Sequence, residues 1–187
     1  MTVRALAIAL VAFTGLASST RGEEPTLRLA PELSLGKTLE GEEVTLGSLG
    51  DRPVLALFWA TWCKGCTKEL ATAEALHRKF GDRVTIIAVS GDKIRSDLTR
   101  FMRRNTKNLT LRVTRDPARR AERSFAARGI PLSVLIDRSG AVRWQLLGFD
   151  EKTWLKELAP TLSAVMNEPN PPVRGSTGEP AVEVSAQ

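Results

Sequence analysis

The chain has 187 residues, 42% hydrophobic and 26% charged, with a formal charge of +6. That balance suits one globular domain with a proper core, and it excludes a repeat array or a largely low-complexity chain. Only two cysteines are present, so a domain of this size does not rest on disulfide staples.

Arg4 supplies a positive start, and Ala5 to Ala17 is an apolar run broken only by Thr14 and Gly15. The run is short for a membrane span and fits an export signal. Cleavage near Ala17-Ser18-Ser19 and retention as an N-terminal anchor both stay open. Either one places the domain in the periplasm or another extracytoplasmic compartment. No cysteine lies near the signal, which excludes a lipoprotein anchor. Residues 1–19 are assigned as signal peptide or anchor, 20–29 as linker, 30–167 as the folded domain and 168–187 as a disordered Pro/Gly-rich tail.

Leu33 to Leu35 and Val44 to Leu46 read as short strands around a turn at Glu40-Gly41-Glu42. Val54 to Trp59 is a continuous apolar run, as a strand buried on both faces of a parallel sheet requires. A helical period follows from Thr67 to Phe80, ended by Gly81-Asp82, and then a second buried strand at Val84 to Val89. Ser96 to Arg104 reads as an amphipathic helix with Leu98, Phe101 and Met102 inward. Leu109 to Val113 reads as a strand, and Asp116-Pro117 as the start of a helix running to Ala127. Leu132 to Asp137, a turn at Arg138-Ser139-Gly140 and Ala141 to Leu147 make a hairpin, and Glu151 to Met166 a last helix. Strands alternating with helices predict an α/β layer sandwich.

The chemistry-bearing segment is Trp59-Ala60-Thr61-Trp62-Cys63-Lys64-Gly65-Cys66. A bridge across two intervening residues closes almost no loop and removes little unfolded-state entropy. Reactivity explains the pair better than stability does. A strand leads in and a helix leads out, so Cys63 stands at a helix N-terminus, where unpaired N–H groups and the helix dipole favour a thiolate. Lys64 adds positive charge, and a depressed pKa is expected at Cys63. Cys66, one turn further on, is expected to be more buried and to resolve a mixed disulfide. Zinc needs four ligands, and the chain offers no third cysteine and a single histidine, His77, too far along the helix. No metal or other cofactor is expected, and His77 is read as a partly exposed helix residue.

Phe58 to Cys66 resembles the active-site segment of thioredoxin-like proteins, and the exported TlpA- and ResA-like thiol–disulfide oxidoreductases in particular. The lead-in from Leu33 to Leu49 is similar to that group's N-terminal hairpin. Asp116 to Ala127, Gly129-Ile130-Pro131 and Leu135 to Gly140 resemble its second half. The resemblance spans roughly residues 30–165. It implies a thioredoxin-like three-layer α/β/α sandwich with an N-terminal β-hairpin and an inserted helix–strand. It also implies that Pro131 is the family's cis-proline facing the sulfurs, with the Ile130 backbone free to pair with substrate and Trp62 beside it. A trans proline that merely starts a strand is the alternative. Glu69, three residues after Cys66, matches a glutamate implicated in thiol reactivity in ResA-like proteins. It is either a proton relay or an exposed helix glutamate.

Two departures stand out. Thioredoxin carries a buried Asp six residues ahead of its first cysteine, where this chain has Leu57, and the dipeptide between the cysteines is Lys64-Gly65 rather than Gly-Pro. Proton handling and redox potential therefore do not carry over.

From Lys93 to Arg128 there are twelve Lys/Arg and three acids, while the rest of the chain is net acidic. This band is either a solvated face or a surface for acidic partners or anionic headgroups. Nucleic acid is not an expected partner. The expected partners are protein thiol or disulfide substrates and a membrane electron donor, with the chain acting as a monomer. The resemblance points to apocytochrome c or copper-site thiols as substrates and to the reducing direction. A peroxiredoxin-type peroxidase is a rival, but Pro53 lies too far from Cys63 for that signature. A copper chaperone is another, since two thiolates suit copper(I), but its C-x-x-x-C pattern is absent.

Overall fold

Val54–Trp59 is buried at all six positions and forms an interior strand of a seven-stranded mixed sheet. The computed structural model describes residues 27–169 apart from 106–107 and 126–127, so the proposed signal or anchor and the tail beyond 169 lie outside the described residues. In chain order the strands are β1 (Ser34–Lys37), β2 (Glu43–Thr45), β3 (Val54–Trp59), β4 (Thr85–Ser90), β5 (Arg112–Arg115), β6 (Leu132–Ile136) and β7 (Val142–Leu147). The helices are α1 (Lys64–Phe80), α2 (Arg95–Asn105), α3 (Arg120–Arg123) and α4 (Glu151–Asn167). The spatial strand order is β2-β1-β5-β4-β3-β6-β7. β3, β4 and β5 run parallel, while β6, β7 and the β1–β2 hairpin pair antiparallel.

The alternation along β3 splits the core in two. Leu55, Leu57 and Trp59 face one side with α1, Leu98 of α2, and Trp154, Leu158 and Leu162 of α4. Val54, Ala56 and Phe58 face the other with Leu35, Val44, Leu46, Ala121 and Phe125. A fully buried side chain of this size contributes about 1.5–3 kcal/mol, so these two clusters supply the main driving force for folding. β7 alternates half-buried and exposed positions, as an edge strand covered on one face does.

Three elements depart most from the sequence expectation, while β1 ends two residues later than expected, at Lys37. α1 begins at Lys64, one turn before Thr67, because Cys63 caps it. β5 lies at 112–115 rather than 109–113, because Glu74 intercepts the preceding backbone: its carboxylate accepts from Thr110 N (2.7 Å), Leu111 N (3.2 Å) and Thr110 Oγ1 (2.7 Å). Burial pulls the Glu74 carboxyl upward, but those bonds and one from Arg78 outweigh it and hold its pKa below the ordinary value. α3 has four residues instead of the twelve read from 116 to 127. Arg119 takes left-handed backbone (φ 53°), which separates Asp116 from the helix it was read as capping directly. Asp116 Oδ2 reaches past it to Ala121 N at 2.9 Å. The second helical layer is correspondingly thin and is completed by the hairpin.

Candidate active site

β3 ends at Trp59, and the chain turns through Ala60, whose carbonyl accepts from Cys63 N at 3.0 Å. Cys63 has extended backbone (φ −87°, ψ 105°) and is the N-cap of the 17-residue α1. Its Sγ accepts from Cys66 N at 3.3 Å, so the sulfur occupies the place where a helix N-terminus favours negative charge. The two cysteines form a disulfide, with Cα atoms 5.3 Å apart. Cys63 is 9% exposed and Cys66 0%, so an incoming partner meets Cys63 first. Trp62 beside it is 69% exposed, a large apolar surface left to solvent at the reactive turn.

Pro131 comes from the neighbouring strand, just ahead of β6, whose Leu132 pairs with Phe58 of β3, and the Ile130–Pro131 bond is cis. A Cβ added to Gly65 would lie 3.9 Å from the Pro131 ring, which places that ring over the Cys-x-x-Cys turn. Ile130 is half-buried, and its backbone makes no hydrogen bond among the described residues. The turn, the cis-proline and the Ile130 backbone thus meet at one place.

Glu69 is fully buried, not exposed on the helix. Ser133 Oγ donates to its Oε1, and Trp154 Nε1 donates in turn to Ser133 Oγ at 2.7 Å. The indole N–H occupies a Ser133 lone pair, so the serine's single proton goes to Glu69. Oε2 has no partner among the described residues. Burial raises the Glu69 pKa to about 7, against the lowering effect of the Ser133 bond. Leu57, which stands where thioredoxin has its Asp, pairs with Ser133 across β3 and β6. The chain therefore holds its buried acid on the helix and anchors it to the strand beside Leu57.

The AhpC/TSA family model matches residues 27–145. The chain belongs to the AhpC/TSA family. It is 32% identical over 127 residues to the thiol-disulfide oxidoreductase ResA of Bacillus thuringiensis (strain Al Hakam), spanning 65% of this chain and 72% of that one. It is 31% identical over 117 residues to the thioredoxin-like protein YneN of Bacillus subtilis (strain 168), spanning 61% and 66%. The crystal structure of StoA from Bacillus subtilis superposes with a TM-score of 0.57 at 24% identity, covering 70% of this chain and 98% of StoA. With the Cys63–Cys66 pair in place, the protein is a thiol–disulfide oxidoreductase of the ResA type on a thioredoxin-like fold.

Sequence reasoning missed three residues of this oxidoreductase. Asp92 is buried just beyond β4 and accepts from Thr61 N (3.0 Å), Thr61 Oγ1 (2.8 Å) and Ser90 Oγ (2.7 Å), which fastens the turn that leads into Cys63. Its signal was a Ser-Gly-Asp run at the carboxyl end of a parallel strand, where sites on such sheets gather. Ser133 and Trp154 had no local signal, because their roles exist only through Glu69. His77 is half-buried, as read, and takes no part in the site.

Proposed function

We propose that the protein works outside the cytoplasm as a reductase of disulfides in exported proteins, with cytochrome c maturation or copper-site thiols as the setting. The observation that carries the exchange chemistry is the asymmetric pair: Cys63, still 9% exposed on a helix N-terminus, and Cys66 sealed behind it at 0%. The apolar run after Arg4 supports export, the ResA relatives support disulfide exchange, and the substrate class follows from the resemblance to TlpA- and ResA-like proteins.

In the reduced protein the Cys63 thiolate attacks one sulfur of a substrate disulfide. That S–S bond breaks, a Cys63–substrate bond forms, and the first substrate thiolate leaves and takes up a proton. Trp62 and the free Ile130 backbone hold the extended substrate across Pro131. Cys66 then loses its proton and attacks Cys63 Sγ, with Glu69 as the base nearest along the helix. The mixed disulfide breaks, the second substrate thiol departs, and the Cys63–Cys66 disulfide remains. Two electrons have passed to the substrate. Return to the dithiol takes two electrons from a donor, assigned to a membrane protein.

Cys66→Ser is expected to stall at the mixed disulfide, and mass spectrometry of trapped adducts names the substrate. Cys63→Ser is expected to abolish exchange. Peroxide consumption without disulfide exchange would establish the peroxidase reading instead. Stoichiometric copper(I) on the reduced protein without exchange would establish the chaperone.

A further inference from the structure

An open groove with a cavity volume of about 460 Å³ lies between the β1–β2 hairpin and the segments leading into α2 and α3. Lys37, Arg95, Arg115 and Arg120 line it, against two acids, Glu43 and Asp116. Both acids are already engaged. Glu43 accepts from Ser34 Oγ at 2.6 Å and lies 4.0 Å from Lys37 Nζ, and Asp116 accepts from Ala121 N. Two of the three arginines are held by neutral groups. Arg95 Nη2 donates to the Leu39 carbonyl, and Arg115 Nη1 donates to the carbonyls of Asp92 (3.2 Å) and Lys93 (3.0 Å). Arg120 is exposed and pairs with no carboxylate among the described residues. Carbonyl partners fix the guanidinium positions without cancelling their charge, which leaves a pre-positioned cluster of positive charge in a concave site.

The strand register ties this groove to the cysteines. Trp59 of β3 pairs with Ser90 of β4, and Ser90 with Arg115 of β5. Arg115 thus stands on the same carboxyl edge as the reactive turn, two strands away, or about 10 Å. The loop it grips through its guanidinium is the one whose Asp92 fastens Thr61. At roughly 3.3 Å per extended residue, a peptide with its cysteine over Cys63 reaches the groove after about three to five residues.

We infer that the groove recognises acidic side chains of the protein substrate, about three to five residues from its exchanging cysteine. The inference rests on the exchange reading above. A concave site sharing an edge with Cys63 fits one or two carboxylates of a bound peptide better than a flat layer of lipid headgroups.

The test uses synthetic peptides with one cysteine blocked as a methyl disulfide and an Asp-Asp pair placed two, four, six or ten residues away on either side. An Asn-Asn series is the control. The reduced protein gives two electrons to each peptide, releasing the free peptide thiol and methanethiol and leaving Cys63–Cys66 oxidised. At low ionic strength the Asp-Asp peptide at spacing four on one side is expected to exchange about tenfold faster than its Asn-Asn control. The advantage is expected to fall away in high salt and to vanish in the Arg95→Gln, Arg120→Gln variant. Both positions are exposed, and an unchanged rate on the Asn-Asn peptide verifies that the variant is folded. Equal rates for the two series overturn the inference, as does an acidic advantage that is independent of spacing or survives in the variant. Binding to phosphatidylglycerol vesicles that needs Arg95 and Arg120, with no peptide preference, assigns the groove to membranes and also overturns it. No exchange with the Asn-Asn peptides would instead defeat the exchange reading itself.

Discussion

Glu69 sits in an apolar core with Ser133 on one oxygen and nothing on the other among the described residues. Its pKa of about 7 in the folded protein compares with 4.5 when solvated. Between those values the unfolded chain releases the proton while the folded chain keeps it, so stability falls as pH rises through that window. The full cost, on the order of 3 kcal/mol at most, is present above pH 7. Glu69→Gln carries no such proton. Denaturant unfolding from pH 4 to 8 is expected to show the variant gaining on the wild type as pH rises through the window. The pH profile of Cys63 alkylation in the reduced protein is expected to lose its inflection near 7 in the same variant; an unchanged profile would remove the relay role. The resemblance to ResA-like proteins pointed to this residue, but its burial was not legible. The group that decides it, Ser133, lies 64 residues away, and its orientation depends on Trp154.

At the scale of elements, the strongly periodic segments were legible and the segments shaped by distant side chains were not. β3, β4, β6, β7, α2 and α4 lie within about a residue of their sequence patterns, because apolar spacing alone specifies them. β5 was displaced because a carboxylate on α1 satisfies the backbone N–H groups of Thr110 and Leu111 before the strand begins. α3 was shortened by the left-handed backbone at Arg119, which no local pattern announces. The hairpin docks on β5 through a position with a strict requirement. Gly36 has φ +89°, and a Cβ there would stand 2.6 Å from the Arg115 carbonyl oxygen. Gly36→Ala is expected to lower unfolding stability by about 1–3 kcal/mol while leaving exchange at Cys63 intact, as read from denaturation and from exchange rates on one preparation. A loss below about 0.5 kcal/mol would show that the hairpin lifts off β5 at no cost.

Over the whole molecule the two faces of the sheet are covered unequally. One carries three helices; the other carries the four-residue α3, the hairpin and Leu29 from the segment leading into it. Deleting residues 27–49 is therefore expected to bare Val54, Ala56, Phe58, Val134 and Ile136 and to give a protein that binds a hydrophobic dye and self-associates. A deletion variant that stays monomeric and dye-silent would mean that α3 alone covers this face. The helix side has a different character. α1 is attached at three levels: Cys63 at its tip to the turn from β3, Glu69 about a third of the way along to β6, and Glu74 about two thirds of the way along to the chain entering β5. A rod fastened at two further points along its length resists sliding and tilting when the sulfurs part. Whatever displacement accompanies opening of the disulfide falls on the four residues from Ala60 to Cys63, and there Asp92 grips Thr61 and leaves Trp62 as the part free to swing.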